Sequence, residues 1–309
     1  MPILEKIKLS HKPLFREFLS IFPPDISEHT FANLYAWHSS KPIQIVQTTN
    51  ALIVAIDRGD YMTILGPPLG PVSLGNAAAI LCETAGKPVA AFERIPEQYA
   101  KVAKDQGLTV VEDRNNFDYV YRRKDLAELD GRRFHAKRNL IAQCLNDYDC
   151  KYEEISAANL SEVIEMMGRW CKNHECGKDK GLCSENLAIG ELLNNFGELG
   201  AFGAAIRISG KVEAFTIGEG LNSSTAVVHF EKAMGQFKGL YQLINQQFCK
   251  NHLANFEYVN REQDLGLDGL RKSKTSYFPD YYVKKYLIYL DPEKEGKLKP
   301  IISSSSCGE

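Results

Sequence analysis

His229 and Glu231 stand two residues apart in the run His229-Phe230-Glu231-Lys232-Ala233. In an extended strand, residues i and i+2 point to one face, so both side chains can line one cleft. Either can take a proton from a nucleophile; Glu231 is the first choice for that base, with His229 behind it. The plainer readings are an ion pair between Glu231 and a nearby Arg or Lys, and a hydrogen-bonded core histidine. A glycine-bearing loop follows, running from Lys232 through Gly235, Gln236, Lys238 and Gly239 to Tyr241, and it leads into a helix-prone stretch. Free amides and the dipole at a helix N-terminus bind anions without needing a positive side chain. Lys238 adds a side-chain contact for a phosphate. Further on, seven ionisable residues fall within 261–274. Of this region Asn260, Glu262 and Asp264 can orient an amine, and Arg271 and Lys274 can meet a carboxylate or phosphate. An Arg271–Asp264 ion pair is the structural competitor.

The elements that must position these groups follow from periodicity. Ile43–Gln47, Leu52–Ile56 and Tyr61–Leu65 are β-rich runs parted by Thr49-Asn50 and Arg58-Gly59-Asp60, which predicts an antiparallel meander. A Gly/Pro loop, a helix at Leu74–Thr84, a strand at Val89–Phe92, a helix at Glu97–Asp105 and a strand at Leu108–Val111 come next. The second half repeats the order: strands at Ala204–Ile208, Val212–Ile217 and Ala226–Glu231, then a helix at about Gly239–Lys250. A strand at Phe256–Val259, a helix at Leu267–Lys274 and a strand at Tyr281–Tyr289 complete it. Third strands begin at 61 and 226, 165 residues apart, and the following strands at 89 and 256, 167 apart. The expectation is two modules of one topology: 1–130, then a helical bridge over 131–200, then 201–309 with the donor site. Within the bridge, Ser156 is expected to N-cap a helix carrying Leu160, Val163, Ile164, Met167 and Trp170 on one face, and another helix covers Glu185–Phe196.

The order meander, loop, helix, strand, helix, strand resembles the GNAT acyltransferase fold, and the loop partly matches its Gln/Arg-x-x-Gly-x-Gly/Ala pattern through Gln236 and Gly239. Tyr241 takes the place of the last small residue. That resemblance implies an acyl donor's phosphates on loop 234–241 and oxyanion-stabilising amides near Phe230–Lys232. The equivalent first-half loop, Gly66-Pro67-Pro68-Leu69-Gly70-Pro71, has three prolines and makes a poor cradle. Longer motifs are Phe31–Trp37, Asp118-Tyr119-Val120-Tyr121, Gly131–Asn139, the Asn260–Gly266 block and Tyr277-Phe278-Pro279. Together they resemble the phosphatidylglycerol lysyltransferase C-terminal domain family, over about residues 20–290. The resemblance implies an α/β (α+β) fold of two tandem GNAT-like modules, as in Fem-type aminoacyltransferases, each a mixed, mainly antiparallel sheet flanked by helices. It also implies transfer of an aminoacyl group from aminoacyl-tRNA to a lipid head group.

The function expected is therefore acyl transfer, with aminoacyl-tRNA or acyl-CoA as co-substrate and no permanently bound cofactor. The acceptor is an amine or hydroxyl on a lipid head group, peptide or small molecule. An acyl-CoA-dependent N-acyltransferase and a catalytically silent ligand-binding protein are the alternatives. With 44% hydrophobic and 25% charged residues and a formal charge of −2, wholesale disorder and a polyanion-coating protein are excluded. Segment 122–138 nonetheless holds seven Lys/Arg against three Asp/Glu, a local +4. It is the candidate contact for a tRNA acceptor arm, and peripheral contact with anionic lipid is the other option. No run reaches about 18 uncharged apolar residues. The first residues lack a signal peptide's apolar core, so a cytoplasmic location is expected. Cys171, Cys176 and Cys183 around His174 lack zinc-site spacing, so no metal is expected, and the eight cysteines are read as reduced thiols.

Overall fold

The structure, a computed structural model, describes residues 2–298; the end of the tail expected to be loose lies outside the described residues. The chain opens with β1 (Ile3–Lys6), α1 (Lys12–Ile21) and α2 (Phe31–Trp37). Then β2 (Ile43–Gln47), β3 (Leu52–Asp57) and β4 (Met62–Leu65) form the antiparallel meander. Next come α3 (Leu74–Ala85), β5 (Val89–Pro96), α4 (Glu97–Asp105) and β6 (Thr109–Glu112). The Ser73 hydroxyl caps α3 by accepting from the Asn76 amide, and Gly86 ends it in a left-handed turn.

The middle of the chain contains β7 (Asp118–Arg122), α5 (Arg123–Glu128), α6 (His135–Asp147) and β8 (Cys150–Glu154). Helices α7 (Leu160–Asn173), α8 (Lys180–Asn194) and α9 (Phe196–Leu199) follow. The order then repeats with β9 (Phe202–Ile208), β10 (Lys211–Gly220), β11 (Thr225–Ala233) and α10 (Leu240–Asn251). The last elements are β12 (Tyr258–Asn260), α11 (Asp268–Thr275), β13 (Tyr281–Val283) and β14 (Lys285–Tyr289).

Two seven-stranded sheets result, ordered β1-β2-β3-β4-β5-β14-β6 and β13-β7-β12-β11-β10-β9-β8. Each contains one parallel pair, β4–β5 in the first and β11–β12 in the second. The single final strand expected over Tyr281–Tyr289 is two strands in different sheets, broken at the charged junction before Lys285. Each sheet's neighbour to its parallel pair comes from the distant part of the chain: β14 fills the first sheet and β7 the second.

The compact units differ accordingly from the expected boundaries. One runs to Asp118 and adds Gln263–Gly266 and the chain from Val283; the other is Tyr119–Glu262 with Leu267–Tyr282. Residues 131–200 are part of the second unit and not a bridge. Ile141 and Cys144 of α6 share one core with Leu240, Leu243, Ile244 and Phe248 of α10, and β8 pairs with β9. Helix α7 begins after Asn159, three residues beyond the expected cap, because Asn159 binds back to Ser156 N and Glu154 O. Helix α8 begins earlier than expected, where Asp179 accepts from the Gly181 and Leu182 amides. The first unit's core gathers Val46, Ile53, Ile64, Leu81, Phe92 and Ile288. Cys82, Cys144, Cys150, Cys171, Cys176 and Cys249 are free thiols, whereas Cys183 is disulfide-bonded, contrary to the reduced state expected of it. Among the described residues, no helix is long and apolar enough to cross a membrane.

Candidate active site

The second unit's parallel pair is short. β11 and β12 pair at Thr225↔Tyr258, Ala226↔Val259 and Val227↔Asn260; β12 then stops while β11 continues to Ala233. In that same stretch, β11 bulges: Val228 faces Gly218 and Phe230 faces Ile217, so His229 is the extra residue of the bulge. Gly218 is required there, since a Cβ would lie 2.3 Å from the Val227 carbonyl oxygen. The first unit has no such parting. β4 and β5 stay paired to Leu65↔Glu93, and the Gly66 amide extends the ladder to the Glu93 carbonyl at 2.7 Å.

Side chains span the gap that the strands leave. Glu231 accepts from Arg261 Nη2 at 3.0 Å on one oxygen and from Asn245 Nδ2 at 3.1 Å on the other. The Arg–carboxylate pairing anticipated as the plainer reading is therefore present, with Arg261 as the partner. Burial opposes the guanidinium charge, yet Glu231 and the Tyr121 and Tyr277 rings around it raise its pKa above the ordinary arginine value. Around this pair, Thr216 Oγ1, Asn245 Oδ1 and Arg261 Nη1 are buried with no hydrogen-bond partner among the described residues. Thr216 sits directly across the ladder from Glu231. A buried acceptor, a buried donor and a hydroxyl around one carboxylate form a polar set suited to a small polar group.

The bulge breaks the two-residue alternation, so His229 does not accompany Glu231 as expected. Its Nδ1 lies 2.7 Å from Glu262 Oε1 and its Nε2 2.9 Å from Glu219 Oε1. Glu219 faces Val227 across the ladder, and Val227 alternates with Ala226 and Val228, which point into the α10 core; Glu219 thus lies on the other face of the sheet. Burial works against a charged imidazole here, but the two carboxylate hydrogen bonds outweigh it and push its pKa up to about 9. At neutral pH His229 already holds its proton, which removes it as a base. Glu262 is brought to it on a left-handed backbone (φ +56), steadied by Asn260 Oδ1 accepting from the Glu262 amide at 2.8 Å.

At the mouth of α10, the loop amides divide into two groups. Those of Met234, Phe237 and Leu240 donate to Glu213, Met234 and Phe237 carbonyls. Those of Gly235, Gln236, Lys238 and Gly239 donate to no group of the chain among the described residues, and Gly235, Gln236 and Lys238 are exposed. Gly239 (φ +90) is also a packing residue: a Cβ would lie 2.1 Å from the Leu140 carbonyl oxygen of α6. Tyr241 follows in the first turn, its phenol pKa raised by burial. In the first unit's counterpart, the Gly66 and Leu69 amides are engaged by Glu93 and Leu52 carbonyls, and the prolines have none to offer.

The structure places the remaining expected residues apart. Phe230 is buried. Lys232 points away from the loop, with its ammonium 4.0 Å above the Trp170 ring and 2.8 Å from Glu185 Oε2. As the strand neighbour of Glu231, its side chain faces the opposite side of the sheet. Asp264 belongs to the first unit, where it accepts from Arg114 Nη1 at 3.2 Å and from the Gly266 amide. Lys274 of α11 donates to the Arg261 carbonyl, and Arg271 is half-buried on the same helix. Arg261, Asn245, Thr216 and Glu219 were not among the expected site residues. Asn245 had a signal: a lone polar residue on the apolar face formed by Leu243, Ile244 and Phe248.

A profile of the family described as "Phosphatidylglycerol lysyltransferase, C-terminal" matches residues 19–289. Among solved structures, a conserved protein of unknown function from Bacteroides thetaiotaomicron VPI-5482 is 29% identical with a TM-score of 0.84, covering 94% of this chain and 100% of that one. L-PGS from Bacillus licheniformis is 15% identical with a TM-score of 0.64, over 90% of this chain and 91% of that one, a likeness of fold. An uncharacterized protein of Mycoplasmoides gallisepticum is 22% identical over 174 residues, 55% of each chain, so this chain spans about half the length of the curated relative it matches. With the family match extending over most of its length, the chain, a fold of two like α/β modules, belongs to the phosphatidylglycerol lysyltransferase C-terminal family.

Proposed function

We propose that this protein is an acyltransferase that takes an aminoacyl group from aminoacyl-tRNA and passes it to an amine or hydroxyl acceptor. The observation that carries this reading is the parting of β11 and β12 beside a loop of unengaged amides at the N-terminus of α10. The first unit has the same topology with its strands zipped and its loop amides engaged, so the donor belongs to the second. Family membership adds the chemistry, since the family is described as that of the phosphatidylglycerol lysyltransferase C-terminal domain.

In this reading the exposed amides of Gly235, Gln236 and Lys238, with the Lys238 side chain, take a terminal phosphate of the donor. The acceptor nitrogen or oxygen attacks the ester carbonyl, and the proton it loses goes to Glu231. Amides of the stretch Phe230–Lys232, along the edge that β12 has left, stabilise the oxyanion. That attack makes the new acyl bond; collapse of the intermediate breaks the ester C–O bond, and the departing tRNA oxygen takes back the proton held by Glu231. His229 does not exchange protons in this cycle; its fixed positive charge, held by Glu219 and Glu262, offsets charge that builds on the neighbouring backbone.

Isothermal titration with a charged tRNA and, separately, with acetyl-CoA tests the donor. Binding of the charged tRNA alone is expected. Saturation by acetyl-CoA would turn the reading to an acyl-CoA-dependent N-acyltransferase, and silence toward both at high micromolar concentration would leave a ligand-binding protein of this fold.

A further inference from the structure

We propose that Cys144 and Cys150 form a redox-sensitive pair whose oxidation to a disulfide displaces loop 234–241 and weakens its hold on the donor; the binding half rests on the donor reading above. The two sulfurs lie 3.8 Å apart, one in the last turn of α6 and the other at the start of β8. Both are free thiols in this structure; Cys144 is fully buried, whereas Cys150 is part-exposed. In the turn between them, the Tyr148 amide donates to the Cys144 carbonyl and the Cys150 amide to the Tyr148 carbonyl, each at 3.0 Å.

This turn packs against the candidate donor loop at two points. Tyr148 stands edge-on to Phe237 at 5.0 Å. The Phe237 amide donates to the Met234 carbonyl and its own carbonyl accepts from the Leu240 amide, so Phe237 sets the course of the loop between Gln236 and Lys238. Cys144 itself lies against Gly239, where a Cβ would come within 3.1 Å of the Cys144 Cβ. So close a packing passes any movement of Cys144 or of the turn on to the loop.

A disulfide needs its sulfurs at about 2.05 Å, so bonding the pair must shift α6, the turn or both. The oxidant is a small-molecule disulfide of the glutathione class. Cys150, the accessible thiol, gives its proton to solvent and attacks one sulfur of the reagent; the reagent's S–S bond breaks and one small thiolate leaves. Cys144, deprotonated in turn, attacks Cys150 Sγ and expels the second small thiolate. Two protein thiols are thereby oxidised, one small disulfide is reduced to two thiols, and the protons released go to those two leaving groups. Burial pushes the Cys144 thiol up to about 12 and raises that of Cys150 as well. Thiolate is therefore scarce at neutral pH, and the pair answers a sustained oxidising excess rather than a brief one.

The test incubates the protein with oxidised glutathione, maps cross-links by mass spectrometry, follows amide exchange in loop 234–241 and titrates charged tRNA. A Cys144–Cys150 cross-link is expected, with faster exchange of the Met234, Phe237 and Leu240 amides and donor binding about tenfold weaker, all reversed by dithiothreitol. By linkage, saturating charged tRNA should make the oxidation less favourable by the same factor. Cys150→Ser, with a thermal midpoint matching the parent's, should keep the exchange and affinity of the reduced protein after the same treatment. Absence of the cross-link overturns the proposal, as does a cross-link that leaves loop exchange unchanged; the donor reading survives both. Equal weakening in oxidised Cys150→Ser assigns the effect to another thiol and overturns it too. If the reduced protein binds no charged tRNA, the donor reading and the binding half of the proposal fall together, while the cross-link and exchange measurements still decide the switch.

Discussion

Glu231 has its two oxygens on two different donors, Arg261 and Asn245, which fixes the carboxylate's plane while leaving each oxygen a free lone pair. Glu231→Gln keeps the size and the Asn245 and Arg261 neighbours but cannot take a proton. It should lower turnover at least a hundredfold while donor affinity stays within about twofold; turnover near that of the parent in a single-turnover assay would remove Glu231 as the base. His229 makes the second residue-scale prediction. Its pKa is raised from 6.5 to about 9 on folding, so its contribution to stability is complete below pH 6.5 and is lost as pH rises through about 9. The amount is on the order of 3 kcal/mol. The thermal midpoint should fall across that window, and His229→Gln should flatten the curve; a parent protein equally stable at pH 6.5 and 10 contradicts the buried imidazolium. The sequence made residue types and neighbourhood legible here: both side chains, the loop and Glu262 were expected at one site. It did not show the bulge, because alternation assumes regular pairing, and one extra residue at 229 sends its side chain to the other face.

At the scale of elements, the two loop glycines separate a packing role from a binding one. Gly239→Ala puts a Cβ 2.1 Å from the Leu140 carbonyl oxygen on a left-handed backbone, and should cost about 2 kcal/mol or more as α6 and α10 are pushed apart. Gly235→Ala meets nothing within 4 Å and keeps its amide, so stability and donor affinity should both hold. Chemical denaturation of the two variants checks the contrast, and equal destabilisation would refute it. The meander and the helix after each parallel strand were legible because turn residues bracket short apolar runs. β8 was not, since Lys151, Glu153 and Glu154 leave an edge strand with little apolar pattern. Helix α1 also escaped the sequence reading, although Pro13 at its start and the buried Phe15 and Phe18 mark it in retrospect.

For the molecule as a whole, the unit boundaries were the least legible feature, because strand exchange leaves no mark on local composition. β14 pairs with β5 on one side and β6 on the other, so the first sheet is interrupted without it. Lys285 of that strand is also fully buried, with its ammonium 2.6 Å from both Glu28 and Asp118 carboxylates. A chain ending at Tyr282 should therefore lose amide-exchange protection in β5 and β6, while β9, β10 and β11 keep theirs. Full protection of β5 in that truncation would show β14 to be dispensable.

The exchange also fixes a schedule. A ribosome delivers β6 long before β14, with 177 residues between their last positions, Glu112 and Tyr289. At about 5–20 residues per second the nascent first sheet waits roughly 10–35 s with β5 and β6 unjoined. During that interval two unfilled strand edges are open to whatever extended segment arrives first. The half of the protein made first is thus the half finished last, and it is the period of synthesis, rather than the mature fold, in which this chain is most exposed to pairing with the wrong strand.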